Sequence, residues 1–311
     1  MTKDLYYPSS GRGIIHARRW EPEGQVKGIV QLIHGIAEHS KRYHEFAEYL
    51  NSLGYLVVAE DHMGHGRSGG KACIRGFFYG GWFKAVEDSY QLLESTKSEF
   101  PGIPYYVFGH SMGSFMARTL LIQYPNAGIA GAIICGTGWM PEAVLKSGYT
   151  MAKLVCGRDN EKKHSPMLHK LMFGSYNKKV EHPRTDFDWL SRDASIVDAY
   201  IADPNCGFPE TAGLARDMLE GILYIQKTAN MKKMNMTVPV LFIAGGADPV
   251  GDYGKGVIKA ANKFKTIGMK RISSKIYPLC RHEILNEINR QEVYQDISNW
   301  LDKTGKKTVK Q

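Results

Sequence analysis

One pentapeptide of this sequence has the residue types and spacing of a nucleophilic serine. It reads Gly109-His110-Ser111-Met112-Gly113, follows an apolar run that ends at Phe108, and precedes a helical pattern that begins at Met112. This is the G-x-S-x-G pattern between a strand and a helix, where the glycines allow a tight turn that leaves the serine hydroxyl exposed. We therefore expect Ser111 to be a nucleophile at the edge of a sheet.

A base and a carboxylate that could activate this serine lie further along the chain. A serine hydroxyl is a poor nucleophile unless a histidine, oriented by a carboxylate, takes its proton. Asp248 follows the apolar run that ends at Ala244, and His282 follows the last predicted strand. Serine, aspartate and histidine occur in this order in known triads. The alternative for His282, an ordinary histidine of a surface loop, is disfavoured by the serine turn and by Asp248.

Backbone N–H groups near the serine could stabilise the oxyanion of a tetrahedral intermediate. Met112 directly follows the nucleophile at a helix N-terminus, where N–H groups are free to bind an anion. We expect the second donor in the loop after the first parallel strand, His34-Gly35-Ile36-Ala37-Glu38-His39. We predict that the N–H groups of Ile36 and Met112 form the oxyanion hole.

Apolar runs that alternate with helical patterns predict the elements that position these residues. The runs are short, rich in β-branched residues and apolar on both faces, as in strands of a buried parallel sheet. A parallel sheet covered by helices is the α/β fold class. The predicted strands are 28–33, 55–59, 105–108, 129–134, 238–244 and 272–277, and the predicted helices are 43–53, 83–100, 112–124, 254–267 and 291–301.

The alternation stops in the second third of the chain, where helical patterns run without a convincing strand. Ser165 followed by Pro166 predicts the start of one helix, and a second helix is predicted from 214 to 227. Such an insertion between two strands indicates a cap over the carboxyl edge of the sheet, where open α/β sheets bind ligands. The predicted division is a core of 1–136 and 237–311, with a helical cap of 137–236.

The predicted cap combines apolar residues with a basic stretch. We expect a largely apolar pocket beneath the cap, because the insertion holds too many apolar residues to be purely solvated, among them Trp139, Met140, Leu154, Leu171, Met172 and Phe173. Residues 146–180 hold eight basic and two acidic side chains. One interpretation is a membrane-contacting face, with lysines at 162, 163, 178 and 179 near phosphates and with Leu154, Met167 and Phe173 toward acyl chains. The interpretation that we favour is that the apolar face covers the pocket and the lysines are solvated.

The composition narrows the possible classes of function. The chain has 311 residues, of which 43% are hydrophobic and 23% are charged, as is typical of globular domains. No apolar segment approaches the ~20 residues of a membrane helix, and the first residues lack the apolar core of a secretory signal, so we expect a cytoplasmic protein. The net charge is +9, but no basic cluster interleaves aromatic residues, which argues against a nucleic acid partner.

Metal and dinucleotide sites are disfavoured by the spacing of their usual residues. Residues 64–69 fit G-x-G-x-x-G after a strand, but further glycines follow instead of a helix. We therefore interpret this segment as a tight structural turn beneath the active site. The five cysteines form no C-x-x-C pair. Several histidines lie close together in the sequence, but no two of them have the i, i+4 spacing on a predicted helix, so we predict no metal site. These histidines are His34, His39, His44, His62 and His65.

Four segments carry a resemblance to a known family. They are 34–43 (HGIAEHSKRY), 61–68 (DHMGHGRS), 109–113 (GHSMG) and 281–287 (RHEILNE). Together they resemble the monoacylglycerol lipase and lysophospholipase branch of the α/β-hydrolase superfamily, a serine aminopeptidase-like family, over nearly the full chain. The resemblance implies an eight-stranded, mostly parallel α/β-hydrolase sheet with an inserted helical cap and no cofactor.

The resemblance also implies roles for individual residues. The implied triad is Ser111, Asp248 and His282, and Ile36 and Met112 are the implied oxyanion donors. Two further side chains, Glu38 and Arg42, would approach the polar head group of the substrate.

Two positions depart from the pattern of the animal monoacylglycerol lipases. Ser114 stands where those enzymes usually have another glycine, and Gly251 stands where they have a cysteine shortly after the acid. We expect neither position to touch the triad. The cap sequence is more similar to bacterial relatives than to animal ones, and it is the cap that sets substrate choice.

These observations favour a serine hydrolase that cleaves carboxylic esters with a single acyl chain, such as a monoacylglycerol or a lysophospholipid. Its partner would be this small acyl ester, with transient contact to a membrane surface or micelle as an option. A peptidase of the proline iminopeptidase kind is the first alternative, and it would need an acidic cluster such as Asp186, Asp188 and Asp193 to hold a free amine. A catalytically idle binding protein on the same fold is the second alternative.

Overall fold

An eight-stranded sheet forms the centre of the protein. The computed structural model describes residues 1–308. The strands are β1 (Thr2–Pro8), β2 (Ile14–Trp20), β3 (Gly28–Ile33), β4 (Tyr55–Glu60), β5 (Tyr105–His110), β6 (Ile129–Cys135), β7 (Val240–Gly245) and β8 (Ile272–Tyr277). Their spatial order is β1-β2-β4-β3-β5-β6-β7-β8. Strands β3 to β8 are parallel, and β2 is antiparallel to both β1 and β4.

Helices cover both faces of this sheet. They are α1 (His44–Ser52), α2 (Gly81–Glu99), α3 (Met112–Gln123), α4 (Glu142–Cys156), α5 (Pro166–Phe173), α6 (Ala194–Ala202), α7 (Ala212–Gln226), α8 (Thr228–Met231), α9 (Lys255–Thr266) and α10 (Arg290–Thr308). One face of the sheet packs against α1 and α10, and the other packs against α2, α3 and α9. Alternate strand residues point to the two faces, so the central strands are apolar throughout.

The structure confirms the α/β class and the mostly parallel eight-stranded sheet. All six strands and all five core helices predicted from the sequence are present, with ends that differ by a few residues. The antiparallel strands β1 and β2 were not among the predicted strands. The carboxyl ends of β3, β5, β7 and β8 meet at one edge, which places the residues that follow them close together.

Helices α4 to α8 lie between β6 and β7 and build the cap. Helix α7 packs against α2, α3 and α4, which fixes the cap to the core. Helix α5 starts as predicted, because the Ser165 hydroxyl oxygen accepts a hydrogen bond from the Leu168 N–H and Pro166 is the first helical residue. Within residues 1–308, no helix combines the length and apolar character needed to cross a bilayer.

Candidate active site

The turn between β5 and α3 holds Ser111 in a strained backbone conformation. Its φ is +53° and its ψ is −121°, a combination that is costly for a residue with a side chain. Side chains at Gly109 and Gly113 would overlap the carbonyl oxygens of Gly113 and Ile33 respectively. The two glycines therefore let the chain turn sharply from strand to helix. This geometry matches the turn predicted from the G-x-S-x-G pattern.

Asp248 and His282 form a buried pair at the same sheet edge. Asp248 follows β7, His282 follows β8, and Nδ1 of His282 lies 2.9 Å from Oδ1 of Asp248. The Val250 N–H donates a 2.8 Å hydrogen bond to the same carboxylate oxygen. Burial by itself would lower the pKa of His282, but the charge and hydrogen bond of Asp248 and the charges of Glu283 and Glu38 together outweigh it, so the pKa lies above the ordinary value of 6.5. His282 and Ser111 line one cavity.

Two rings enclose the imidazole of His282. The ring of His110 has its centroid 4.6 Å away and that of Trp189 has its centroid 5.1 Å away. Burial and the neighbouring His282 hold the pKa of His110 well below its usual range, so His110 is a neutral ring. The His282 backbone N–H also donates to the Trp189 carbonyl at 3.3 Å. Trp189, a residue of the cap, thus contacts His282 through both its ring and its backbone carbonyl.

The loop after β3 brings Ile36 to the cavity beside Ser111. A side chain at Gly35 would lie 3.2 Å from the Ser111 Cβ, so this glycine permits a close approach of the two backbones. The Ala37 carbonyl accepts hydrogen bonds from the Tyr200 hydroxyl and the Gly207 N–H, each 3.0 Å long. The cap therefore holds the loop after β3 in place through these two hydrogen bonds.

Met112, the other predicted oxyanion donor, is the first residue of helix α3, where the first N–H groups have no partner inside the helix.

Glu38 and Arg42, predicted to approach a substrate head group, belong to a buried ion network. The Arg42 guanidinium donates to both oxygens of Glu283 at 2.5 and 2.7 Å and to Glu38 at 2.9 Å, and it lies 4.8 Å from the ring centre of Tyr200. Arg42 holds the pKa of Glu283 down to about 2 despite burial. Glu38 and Glu283 line the cavity, but Arg42 does not. Arg42 therefore contacts two carboxylates that line the cavity and does not line it itself.

The cavity has a volume of about 310 Å³ and lies between the sheet edge and the cap. Of the six apolar residues on which the expectation of an apolar pocket rested, Phe173 lines the cavity. The others lie elsewhere: Leu154 and Leu171 point outward with 77% and 59% exposure, Met140 is also exposed, and Trp139 and Met172 pack against the core. The apolar lining consists of Ile36, Ala37, Phe173, Phe187, Trp189, Leu190, Tyr200 and Phe208.

The three aspartates suggested for a peptidase do not form a cluster in the cavity. Asp186 lines the cavity, but Asp188 turns to the Thr185 hydroxyl and the Arg184 N–H, and Asp193 caps helix α6. These three carboxylates therefore face different partners. The carboxylates that line the cavity beside Asp186 are instead those of Glu38, Glu210 and Glu283.

One of the two departures from the family pattern touches the site, contrary to expectation. The Ser114 hydroxyl donates a 2.6 Å hydrogen bond to the Ser111 carbonyl, which strengthens the first turn of α3. A side chain at Gly251 would lie 2.8 Å from the Val257 side chain on α9 and 3.6 Å from Oδ2 of Asp248. The space beside Gly251 is therefore already filled, and a larger residue there would crowd α9 and contact the acid.

The histidines near the site have structural roles. The His34 ring lies 3.9 Å from His62 and 5.4 Å from His65, centre to centre, beneath the loop of Ile36. Gly66 has φ of +50°, as expected of a tight turn, and a side chain there would overlap the Asp61 carboxylate. Within residues 1–308, one group could hold a metal ion, because ligand atoms of His39, Asp203 and Cys206 lie within 4.8 Å of one another.

Sequence reasoning missed several residues of the cavity. Glu283 follows His282 directly, and its position was the only signal for it. Trp189, Tyr200 and Glu210 come from the cap and carried no motif.

The fold and the site together define the class of protein. A mostly parallel sheet, a strained serine turn and a buried histidine–aspartate pair at the carboxyl edge of the sheet are the features of an α/β-hydrolase.

Comparisons with known proteins identify the family within this class. A family model described as "Serine aminopeptidase, S33" matches residues 24–289, and this chain belongs to that family. The monoacylglycerol lipase of Mycolicibacterium smegmatis is 29% identical over 91% of this chain and 90% of its own length. The monoglyceride lipase of Homo sapiens is 28% identical over 92% of this chain and 86% of its own length.

A solved structure supports the same assignment. A thermostable carboxyl esterase from Bacillus coagulans, in complex with glycerol, superposes with a TM-score of 0.88 at 29% identity over 98% of this chain and 99% of that chain. The protein is a serine ester hydrolase.

Proposed function

We propose that this protein hydrolyses carboxylic esters with a single acyl chain, such as monoacylglycerols or lysophospholipids. The observation that carries the proposal is that Ser111 and His282 line the same cavity as a group of aromatic and aliphatic side chains. Such a wall binds an acyl chain by burying its methylene groups. The relatives named as monoacylglycerol lipases, and the esterase that binds glycerol, support the same class of substrate.

The reaction would begin with attack of the Ser111 oxygen on the ester carbonyl carbon. His282 takes the hydroxyl proton on Nε2, and Asp248 stabilises the imidazolium. The N–H groups of Ile36 and Met112 hold the oxyanion of the tetrahedral intermediate, worth about 3 kcal/mol for each donor. The carbon–oxygen bond to the alcohol then breaks, and the leaving oxygen takes the proton from His282.

An acyl-enzyme on Ser111 remains after the alcohol leaves. Water enters, His282 removes one of its protons, and the resulting hydroxide attacks the acyl carbonyl. Collapse of the second tetrahedral intermediate returns the proton to Ser111 and releases the fatty acid. The raised pKa of His282 suits a group that must accept and then donate a proton.

The substrate class can be tested with p-nitrophenyl esters whose acyl chains run from two to sixteen carbons. We expect kcat/KM to rise from two carbons to about eight, because each buried methylene contributes roughly 0.8 kcal/mol. Monoacylglycerol, lysophosphatidylcholine and a proline anilide complete the panel. If acetate esters are the best substrates and kcat/KM falls with every added carbon, the lipid assignment fails. Preferential cleavage of the proline anilide would favour the peptidase alternative.

We further infer that the outer face of the cap makes transient contact with lipid surfaces. Val144, Met151 and Leu154 lie on one side of α4, and Met167 and Leu171 lie one turn apart on α5; all five are exposed. None of these residues lines the cavity. We therefore now favour the membrane-contacting interpretation over the one preferred from the sequence, in which the apolar face covers the pocket. Lysines flank them in the basic stretch 146–180 and suit an anionic surface.

The contact is tested with a double variant, Leu154→Ser with Leu171→Ser. We expect activity on monoacylglycerol in anionic vesicles to fall about tenfold, because less apolar area enters the interface. Hydrolysis of a soluble p-nitrophenyl butyrate should stay within twofold. Ile258→Ser removes an exposed apolar side chain from α9, outside the cap, and serves as the matched control. Equal losses on both substrates would contradict a surface role.

A further inference from the structure

Three side chains with metal-binding atoms meet where the cap packs against the loop after β3. His39 is the last residue of this loop, and Asp203 and Cys206 follow helix α6 of the cap. A ring nitrogen, a carboxylate oxygen and a sulfur, one from each residue, all lie within 4.8 Å of one another. None of the three residues lines the cavity that holds Ser111. The group is therefore separate from the predicted triad.

The burial of the three residues suits a metal ion that enters from solvent. His39 and Cys206 are buried, whereas the side chain of Asp203 is 33% exposed. The buried nitrogen and sulfur are shielded from water, and the exposed carboxylate leaves an entry path for an ion. Nε2 of His39 lies 2.9 Å from Oδ2 of Asp203, so these two ligand atoms already face each other.

Backbone hydrogen bonds hold the turn that carries the two cap residues. The Asn205 N–H donates to Oδ1 of Asp203 at 2.8 Å, and the Cys206 N–H donates to the Asp203 carbonyl at 2.9 Å. The next N–H, that of Gly207, donates to the Ala37 carbonyl at 3.0 Å and so ties the turn to the loop after β3. Oδ2 of Asp203 stays directed at the histidine. The ligands are therefore largely in place before an ion binds, which favours binding.

The donor atoms indicate which ion fits. Imidazole nitrogen, thiolate sulfur and carboxylate oxygen are the usual ligands of Zn²⁺, whereas Mg²⁺ and Ca²⁺ take oxygen ligands. The ligand atoms of a tetrahedral Zn²⁺ ion lie about 3.3 to 3.7 Å apart, so side-chain shifts of about 1 Å would close the group around the ion. Three protein ligands leave the fourth position to a water molecule, which can arrive from the exposed side of Asp203.

We propose that His39, Asp203 and Cys206 bind one Zn²⁺ ion that joins the cap to the loop after β3. The sulfur binds as a thiolate, and the thiol proton that the ion replaces is released to solvent. Because the same loop holds Ile36, the bound ion fixes the predicted oxyanion donor relative to the cap. The ion lies outside the cavity, and the inference does not depend on which ester is the substrate.

Co²⁺ tests the site directly, because it accepts the same tetrahedral ligands as Zn²⁺ and absorbs visible light. Chelator-treated protein is titrated with Co²⁺ and then with Zn²⁺. We expect one equivalent of Co²⁺ to bind, with a sulfur-to-cobalt charge-transfer band and the strong visible bands of four-coordinate cobalt, and we expect Zn²⁺ to abolish both. His282→Gln should give the same spectrum, which separates this site from binding by the predicted base.

Variants of the ligands and of another cysteine show where the ion binds. Cys206→Ser should remove the charge-transfer band and weaken Zn²⁺ binding about 100-fold or more, since the loss of a residue that only orients a ligand already costs about 10- to 100-fold. Asp203→Asn should also weaken binding, and its partly exposed position keeps the test open should Cys206→Ser fail to fold. Cys73→Ser is the matched control, because it removes a half-buried cysteine outside the group, and it should keep the full spectrum.

Thermal unfolding gives a second measurement. Saturating Zn²⁺ should raise the unfolding midpoint of the wild type by about 5 °C, because the ion binds the folded chain, and should leave the midpoint of Cys206→Ser unchanged. A wild-type protein that shows no charge-transfer band with Co²⁺ would overturn the inference. A band that persists in Cys206→Ser, or that disappears in Cys73→Ser or His282→Gln, would place the ion elsewhere and overturn it as well.

Discussion

Histidines within a few ångströms of one another carry opposite pKa shifts, according to the charges that face them. His282 faces Asp248, and its pKa is raised. His110 and His34 are buried beside other histidines, and their pKa values lie well below the usual range, while burial lowers the pKa of His65 to about 3. His282 is therefore the histidine of this group whose pKa is raised, while burial keeps the other three neutral.

The pH profile of kcat/KM should report this base. His282 accepts the Ser111 proton only when neutral, so kcat/KM should be full above its pKa and fall tenfold per pH unit below it. Since Asp248 raises the pKa, the midpoint should lie above 6.5. In Asp248→Asn the midpoint should move to lower pH, together with a large loss of rate. Undiminished activity two pH units below 6.5 would exclude His282 as the base.

At the scale of residues, the sequence predicts groups that follow strands and misses groups that meet only through the cap. Ser111, Asp248 and His282 could be predicted because parallel strands end at one edge and their next residues converge. The contact of Arg42 with Glu283 could not be predicted, because the two residues lie 241 positions apart in the sequence. Glu210 carried no motif, and it lines the cavity because the cap packs over the sheet edge.

At the scale of elements, the cap is tied to both loops that carry the predicted machinery. Tyr200 and Gly207 bind the Ala37 carbonyl. On the other side, Arg281 donates to the carbonyls of Asp188 and Ser191 at 2.6 and 2.9 Å. The cap thus supports both the loop that holds Ile36 and the loop that holds His282. We expect a displacement of the cap to shift both loops.

The Arg42 network should contribute strongly to stability. Arg42→Met removes the cation that two buried carboxylates share, and leaving a buried charge uncompensated costs about 3 kcal/mol or more. We expect the free energy of unfolding in urea to fall by that amount at neutral pH. Arg184→Met, which breaks an exposed pair with Asp198, should leave the free energy of unfolding nearly unchanged. Unchanged stability in Arg42→Met, with a loss confined to KM, would restore the head-group role.

The elements that the sequence missed have physical reasons to be inconspicuous. Strand β2 contains His16, Arg18 and Arg19 among its apolar residues, and the buried His16 ring lies between Asp4 and Asp61. No apolar run marks it. Helix α4 begins after Pro141 without a side-chain cap and contains Gly148, so its start and its interior lack the usual helix signals. Ion pairing and tertiary packing, which no local pattern shows, stabilise both elements.

At the scale of the whole molecule, the cap has one apolar face that lines the cavity and another that is exposed. The inner face lines the cavity with aromatic residues, and the outer face exposes aliphatic residues of α4 and α5. Apolar residues in the cap could be predicted from the sequence, but their direction could not. The sequence pattern of a helix that is apolar on two sides is the same whether the helix packs over a pocket or contacts a lipid surface.

Covalent labelling by a fluorophosphonate, followed by peptide mapping in a mass spectrometer, tests the central claim most directly. The account predicts one adduct per chain, on Ser111. In Ser111→Ala it predicts no adduct, an unchanged circular dichroism spectrum and a loss of ester hydrolysis on the order of 10⁴-fold or more, because one oxygen is removed from a preorganised turn. An adduct on another residue, or full labelling that persists in Ser111→Ala, would contradict the assignment of Ser111 as the nucleophile.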